Sequence, residues 1–313
     1  MSLERALELA ARHAGRGYPN PTIGAVVLGP DGAVVGEGVS EPAGGPHAEV
    51  VALHAAGEAA RGGTLFVTME PCAHHGRTPP CVERILEADI ARVVAGCTDP
   101  NAEAGGGAGR LRASGVDVEL LDLPQARRQN EAWRTWISSG RPYVILKLAS
   151  TLDGRVAVAG RRWVTGEESR RRVHELRAAV DAVGVGMGTV RADAPRLDAR
   201  DVPVVRQPRR LAFGRGPLPA GSALELRSGS LADELGALAA EGVQSLLLEG
   251  GPTLGTSFLA AGLVDRLLVF VAPIVAGDGP PLTGPLPEPL ALGEPEVERV
   301  GEDLLLGWRL QEV

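Results

Sequence analysis

The chain is poor in lysine, aromatics and cysteine. Of its 32 basic residues one, Lys147, is lysine and the rest are arginine. Aromatic residues make up 3% and the net charge is −7. Both argue against nucleic-acid binding, which needs cationic surfaces for phosphate and aromatic platforms for bases. No apolar run reaches the ~18 residues of a membrane span, so no membrane partner is expected. The start, Met1-Ser2-Leu3-Glu4-Arg5, carries an acid and lacks the apolar stretch of a secretion signal, so the expected location is the cytoplasm. The three cysteines, Cys72, Cys81 and Cys97, are too few and odd in number for a disulfide framework. They read instead as reduced thiols free to ligate a metal.

What is present is ample apolar material in a long chain. With 313 residues and 44% hydrophobic content, two packed domains are expected at roughly 150 residues each. The first 140 residues alternate helix and strand. Ser2 caps a helix with apolar residues at Leu3, Leu7, Ala10 and Ala14. Ile23–Leu28 and Ala33–Val39 read as a hairpin about Gly29-Pro30-Asp31-Gly32. Helices are expected at His47–Ala60, Pro80–Ala88, near Gly109 and over Pro124–Ile137. Strands are expected at Thr64–Met69, Ala91–Ala95 and Val116–Leu121, giving helices on a mostly parallel sheet. Ser138-Ser139-Gly140-Arg141-Pro142 reads as the boundary, dividing the chain into 1–141 and 142–313. The second half alternates again. Its clearest strands are Tyr143–Leu148, Ala182–Gly186, Ser245–Leu248 and Leu267–Ala272, with helices at Glu167–Ala179, Leu231–Ala240 and Thr253–Ala261. The Pro-, Gly- and Arg-rich stretch from Pro195 to Gly229 reads as strand fragments and loops.

The strongest chemical signal is His47-Ala48-Glu49 together with Pro71-Cys72 and the segment His74 to Cys81. A catalytic zinc takes three nitrogen or sulfur ligands and leaves one position for water; His47, Cys72 and Cys81 supply them. Glu49 is an oxygen base placed to take a proton from that water and return protons to a leaving amine. Cys81 follows Pro79-Pro80 at a helix start, where thiolate formation is assisted. On a regular helix His47 and Glu49 would face apart, so the start after Gly44-Gly45-Pro46 must be irregular. A closed zinc knuckle with His74 or His75 as fourth ligand is the rival reading, and Glu49 argues against it because a closed site has no use for a base. Cys97 ends an apolar strand and reads as core.

Asn20-Pro21-Thr22-Ile23-Gly24, Pro46-His47-Ala48-Glu49, Glu70-Pro71-Cys72 and His74 to Cys81 resemble the deaminase half of the bifunctional riboflavin-biosynthesis deaminase/reductase family. The eight residues between the two cysteines separate it from cytidine and tRNA deaminases. The resemblance implies a cytidine-deaminase-like three-layer α/β domain, zinc on His47, Cys72 and Cys81, and Glu49 as proton shuttle. It further implies that Asn20, His74, Arg77, Asp99 and Asn101 line the substrate pocket.

In the second half, Leu248-Glu249-Gly250-Gly251-Pro252-Thr253-Leu254-Gly255 follows an apolar strand and opens a helix, where backbone amides can meet a phosphate. Arg161, Arg162, Arg170, Arg171, Arg172 and Arg177 form a cluster whose majority reads as a solvated face balanced by Glu167, Glu168 and Glu175. Leu146-Lys147-Leu148-Ala149, Leu152-Asp153-Gly154-Arg155, Trp163-Val164-Thr165, Gly186-Met187-Gly188-Thr189-Val190 and Glu249-Gly250-Gly251-Pro252-Thr253 resemble the reductase half of the same family. That resemblance implies a dihydrofolate-reductase-like fold and NADPH as cofactor. It places cofactor contacts at Ala149, Trp163, Thr189, Asp193, Gly251, Pro252, Thr253, Leu254, Gly255, Thr256 and Ser257. Substrate contacts fall at Arg161, Arg177, Leu197, Arg200 and Glu249, with Arg177 and Arg200 toward the ribose phosphate, and Lys147 and Asp153 supporting the pocket. The chain departs from the family at Asp193-Ala194-Pro195, where Asp-Asp-Pro is usual, at Gly214-Arg215, where Asp-Ser is usual, and at Arg161, where a small polar residue is common.

The expected activity is deamination of 2,5-diamino-6-ribosylamino-4(3H)-pyrimidinone 5′-phosphate, followed by NADPH reduction of 5-amino-6-(5-phosphoribosylamino)uracil to the ribitylamino product. Both substrates are small molecules, and a homo-oligomer is expected. The alternatives are a zinc deaminase with a degenerate second domain and a nucleic-acid deaminase.

Overall fold

The structure is a computed structural model that describes residues 2–76 and 78–311. The chain divides into two compact units, one ending at Ser139 and one beginning at Gly140.

In chain order the first unit comprises α1 (Ser2–Arg12), β1 (Gly24–Leu28), β2 (Val34–Val39), α2 (Ala48–Ala56), β3 (Thr64–Val67), α3 (Cys81–Glu87) and β4 (Arg92–Ala95). It continues with α4 (Gly107–Ala113), β5 (Asp117–Leu120), α5 (Pro124–Gln129) and α6 (Glu131–Ser139). The sheet order is β2-β1-β3-β4-β5. Alternation along β1 splits its side chains between two cores. Ala25 and Val27 pack with α2, α3 and α4, while Val26 packs with Leu3 and Ala6 of α1. Helices therefore cover both faces of the sheet. The expected parallel arrangement holds for β3-β4-β5, whereas β1 runs antiparallel to both β2 and β3. Two glycines bring α2 onto the sheet. A Cβ at Gly36 would lie 2.2 Å from the Ala52 carbonyl oxygen, and one at Gly38 would lie 2.3 Å from that of Ala48. Only a residue without a side chain admits that approach.

The single helix expected over Pro124–Ile137 is two helices broken at Asn130. The Asn130 side chain accepts from the Thr22 amide at 2.9 Å and donates to the Thr22 carbonyl at 3.1 Å. An asparagine that satisfies a remote peptide in this way leaves the helical path for a tertiary reason, which local periodicity does not show.

The second unit comprises β6 (Tyr143–Thr151), α7 (Glu167–Ala179), β7 (Ala182–Gly186), α8 (Met187–Asp193), β8 (Arg209–Phe213), β9 (Glu225–Arg227) and α9 (Leu231–Ala240). It closes with β10 (Ser245–Leu248), α10 (Pro252–Ala260), β11 (Arg266–Ala272), β12 (Glu296–Val300) and β13 (Asp303–Arg309). The eight strands run β12-β13-β11-β6-β10-β7-β8-β9. The six from β11 to β9 are mutually parallel, and β13 and β12 add antiparallel. Val144, Leu146 and Leu148 pack with Leu235, Leu238 and Phe258 on one face, and Ile145 packs toward Leu176 of α7 on the other. The sequence reading had no element for α8, β12 or β13. The first opens on Met187-Gly188, and β12 buries only Val300, so neither carries a strong hydrophobic period.

Candidate active sites

The first site gathers at the N-terminal ends of α2 and α3. His47 lies just outside α2 with extended backbone (φ −72°, ψ 162°), which is the irregular start that the His-x-Glu spacing requires. From there the ring turns one way and Glu49, inside the helix, reaches the same centre. Cys81 is the first residue of α3, and its amide donates to the Cys72 sulfur at 3.3 Å. Gly107 closes the packing behind Cys72, since a Cβ there would lie 1.8 Å from the Pro71 carbonyl oxygen.

Ligand atoms of His47, Cys72 and Cys81 all lie within 4.8 Å of one another. His47 Nδ1 faces both sulfurs, 3.2 Å from Cys81 Sγ and 3.6 Å from Cys72 Sγ. The Cys81 thiol and the His47 ring beside it hold the Cys72 thiol down at about 4, while its neighbour's charge and burial push the Cys81 thiol up. One thiolate is therefore already favoured, and a bound cation would stabilise the second. A nitrogen and two sulfurs are the donor set that suits zinc and leaves a vertex open. Glu49 is buried, and loss of hydration pushes its carboxyl above the ordinary carboxylate range, opposed by His47. A carboxyl tuned in that direction is better placed to give its proton back.

His47, Glu49 and Cys72 line a cavity of ≈ 380 Å³, with Cys81 buried behind them, and Asn20, His74, Asp99 and Asn101 line it too. Arg77 lies outside the described residues. The structure adds residues that the sequence reading did not single out. Thr78 and Trp133 line the cavity. The Glu70 carboxylate accepts from the Asp99 amide (3.3 Å) and the Ala108 amide (2.9 Å), bracing the Asp99 loop and the start of α4. Arg134 donates to the Thr98 carbonyl at 2.8 Å from the other side. Trp133 and Arg134 come from α6, remote in sequence, and no local motif marks them. His75 is exposed beside Glu83 and Cys97 is buried, so neither joins the metal cluster.

The second site is a cavity of ≈ 1170 Å³ lined by the ends of β6 and β10 and by α7 and α8. Ala149, Trp163, Thr189, Asp193 and Gly251 line it, as do Arg177, Arg200, Glu249 and Lys147. Gly251 precedes α10 without a side-chain cap, and Pro252 opens the helix. The free amides of that first turn suit a phosphate. Pro252, Thr253, Leu254, Gly255, Thr256 and Ser257 continue into α10 rather than lining the cavity. Thr256 Oγ1 donates to the Pro252 carbonyl at 2.6 Å and accepts from the Gly284 amide at 2.7 Å, and Ser257 Oγ donates to Thr253. Arg161 is exposed outside the lining. Leu197 is buried at φ 55° in a neighbouring core.

Charge in this cavity is internally matched. Arg177 donates through Nε (2.6 Å) and Nη2 (3.0 Å) to the two Glu249 oxygens and through Nη1 to the Asp198 carbonyl at 3.0 Å. Lys147 Nζ lies 3.8 Å from Glu249. Burial would raise the Glu249 carboxyl, but Lys147 and Arg177 hold it below its ordinary value. Burial lowers the Lys147 amine, only partly offset by Glu249. Arg200 is more open and donates to Asp198 at 3.0 Å. The Trp163 ring is half exposed, with the guanidinium carbons of Arg162 and Arg170 at 5.1 and 5.5 Å from its centre. Asp153 accepts from Thr151, Ala276 and Gly277, which holds its carboxyl down at about 2 and ties the turn after β6 to the chain beyond β11.

Comparison with known proteins covers both halves. Residues 1–97 match the cytidine and deoxycytidylate deaminase zinc-binding region, and residues 142–306 match the RibD C-terminal domain. The riboflavin biosynthesis protein RibD of Mycobacterium tuberculosis is 41% identical over 97% of this chain and 96% of its own length. That of Aquifex aeolicus is 39% identical over the same shares. Among solved structures, Acinetobacter baumannii RibD superposes with a TM-score of 0.85 at 34% identity, covering 98% of this chain and 97% of that one. A Thermotoga maritima structure described as a diaminohydroxyphosphoribosylaminopyrimidine deaminase/5-amino-6-(5-phosphoribosylamino)uracil reductase also gives 0.85, at 33% identity over 98% and 97%.

Proposed function

Because the chain belongs to the RibD family of bifunctional riboflavin-biosynthesis deaminase/reductases, we propose that its two cavities carry the two reactions in turn. The deaminase occupies residues 1–141 and the reductase residues 142–313. The first hydrolyses the amino group of the diamino-pyrimidinone ribosyl phosphate, releasing ammonia. The second reduces the ribosylamino product to the ribitylamino compound with NADPH. The single observation that carries the reading is the convergence of His47, Cys72 and Cys81 beside a buried Glu49. A closed structural zinc site would give that carboxylate nothing to do.

His47, Cys72 and Cys81 would hold zinc, which when bound would make a water acidic enough to ionise near neutral pH. Glu49 moves the protons, from the attacking water to the pyrimidine ring nitrogen and then to the departing amine. Asn20, His74, Arg77, Asp99 and Asn101 orient the ring and the ribosyl phosphate. In the second site a bound NADPH would supply the hydride for the ribosyl carbon bonded to nitrogen. Gly251 and the first turn of α10 would receive the cofactor phosphates, while Ala149, Trp163, Thr189 and Asp193 would shape its seat. Arg200 and Arg177 face the ribose phosphate, with Glu249 fixing the Arg177 fork.

Both substrates are small molecules. No helix among the described residues is long and apolar enough to cross a membrane. A cytoplasmic location without nucleic-acid partners completes the reading, on the sequence grounds given above, together with a homo-oligomeric state. Similarity across both halves favours two active sites over a degenerate second domain. The deciding experiment follows ammonia release and NADPH oxidation by the purified chain supplied with the diamino-pyrimidine phosphate. Both signals are expected in sequence, and ammonia without NADPH oxidation would reject the second half of the reading.

A further inference from the structure

A ring nitrogen binds a metal only through its lone pair, so the imidazole must carry its proton on the other nitrogen. That second N–H needs an acceptor if the ring is to stay in one tautomer and one orientation. Here the choice of nitrogen is geometrically fixed, because Nδ1 of His47 points at the two sulfurs. The far nitrogen, Nε2, meets the Thr78 hydroxyl at 3.3 Å. Thr78 is half-buried and stands immediately before Pro79-Pro80, which lead into Cys81 at the start of α3. The prolines restrict the backbone between the hydroxyl and the sulfur, so Thr78 and Cys81 approach His47 as one short, stiff unit.

We propose that Thr78 is a positioning residue for the metal centre, accepting the Nε2 proton of His47 so that Nδ1 is presented unprotonated to zinc. The eight residues between Cys72 and Cys81 then do more than border the substrate cavity. They carry, on the same strap as one ligand, the group that sets the tautomer of another. This rests on the assignment of His47, Cys72 and Cys81 as zinc ligands.

The test compares Thr78→Val, which keeps the shape and removes the hydroxyl, with Thr78→Ser, which keeps the hydroxyl. Zinc affinity is read by competition with a chromophoric chelator on the full chain. Thr78→Val is expected to bind zinc about 10- to 100-fold more weakly, the usual cost of losing such a partner. Thr78→Ser is expected to stay within about threefold of the parent, since it preserves the acceptor. Parent-like affinity in Thr78→Val, or an equal fall in both variants, would overturn the proposal. Should Thr78→Val fail to fold, the parent protein still decides. In zinc-loaded protein with ¹⁵N-labelled histidine, the His47 nitrogen shifts must show a protonated Nε2 and a metal-bound Nδ1. Metal bound through Nε2 overturns the assignment. A parent chain that binds no zinc at all, or a His47→Ala variant that keeps full affinity, identifies failure of the ligand assignment rather than of Thr78.

Discussion

The two cavities differ in what they are made of. The first depends on a few chemically scarce groups, a histidine and two of the chain's three cysteines, whose ligand atoms fit within 4.8 Å. The second is larger and depends on common groups that cancel one another, an Arg177–Glu249 fork with Lys147 beside it, together with backbone amides at a helix start. A site built from rare donors is vulnerable at single atoms. A site built from compensated charges is vulnerable through the partner left behind when one charge is removed.

The largest expected effect tests the independence of the two. Cys72→Ser should lose zinc and deamination together, while NADPH oxidation with the already deaminated substrate persists; loss of both activities would erase the distinction between the sites. Glu49→Gln should keep zinc and lower deamination by on the order of 10²–10⁴-fold. Turnover within tenfold of the parent would remove its role as shuttle.

Next in size is Arg177→Ala, which removes the Glu249 fork and leaves that carboxylate with Lys147 alone. It should cost about 1.5–3 kcal/mol in urea unfolding of the second unit, and weaken substrate more than NADPH binding. Adding Glu249→Gln should recover part of the lost stability, and failure to recover any would show that the fork is not the reason. A smaller effect follows from acid. The Glu249 carboxyl is held below its unfolded value, so its contribution is present above that value and lost as pH falls through the folded one. Thermal stability of the parent should decline on the acid side of ~4.3, the ordinary glutamate value, and Glu249→Gln should flatten that part of the profile. The smallest effect concerns Ala194, which caps α8 in the left-handed region (φ 42°). Ala194→Gly should stabilise by up to about 1 kcal/mol by removing the Cβ clash; an unchanged Tm would show that the site is not strained.

Legibility in the sequence followed the same divide. His47, Glu49, Cys72 and Cys81 could be read because donor type and helix-start signals coincide within short segments, and α7 and α9 have the bounds that periodicity sets. What escaped was set by tertiary partners. Asn130 breaks a helix to hold the Thr22 peptide, and α6 then delivers Trp133 to a cavity whose motifs end far earlier in the chain. Residue type did not separate Arg177 from its arginine neighbours, and only the family resemblance singled it out. Its distinction is a carboxylate 72 residues away. The strand β12 was invisible because an exposed edge carries little apolar signal.

Lys147 is the only lysine in the chain, and its amine borders the second cavity. Because burial favours the neutral amine, it can act as a nucleophile at milder pH than a surface lysine. An acylating reagent thus has a single side-chain amine to find. Intact-mass measurement of its modification, with NADPH or substrate as protectant, would turn one residue into a built-in occupancy gauge for the reductase half.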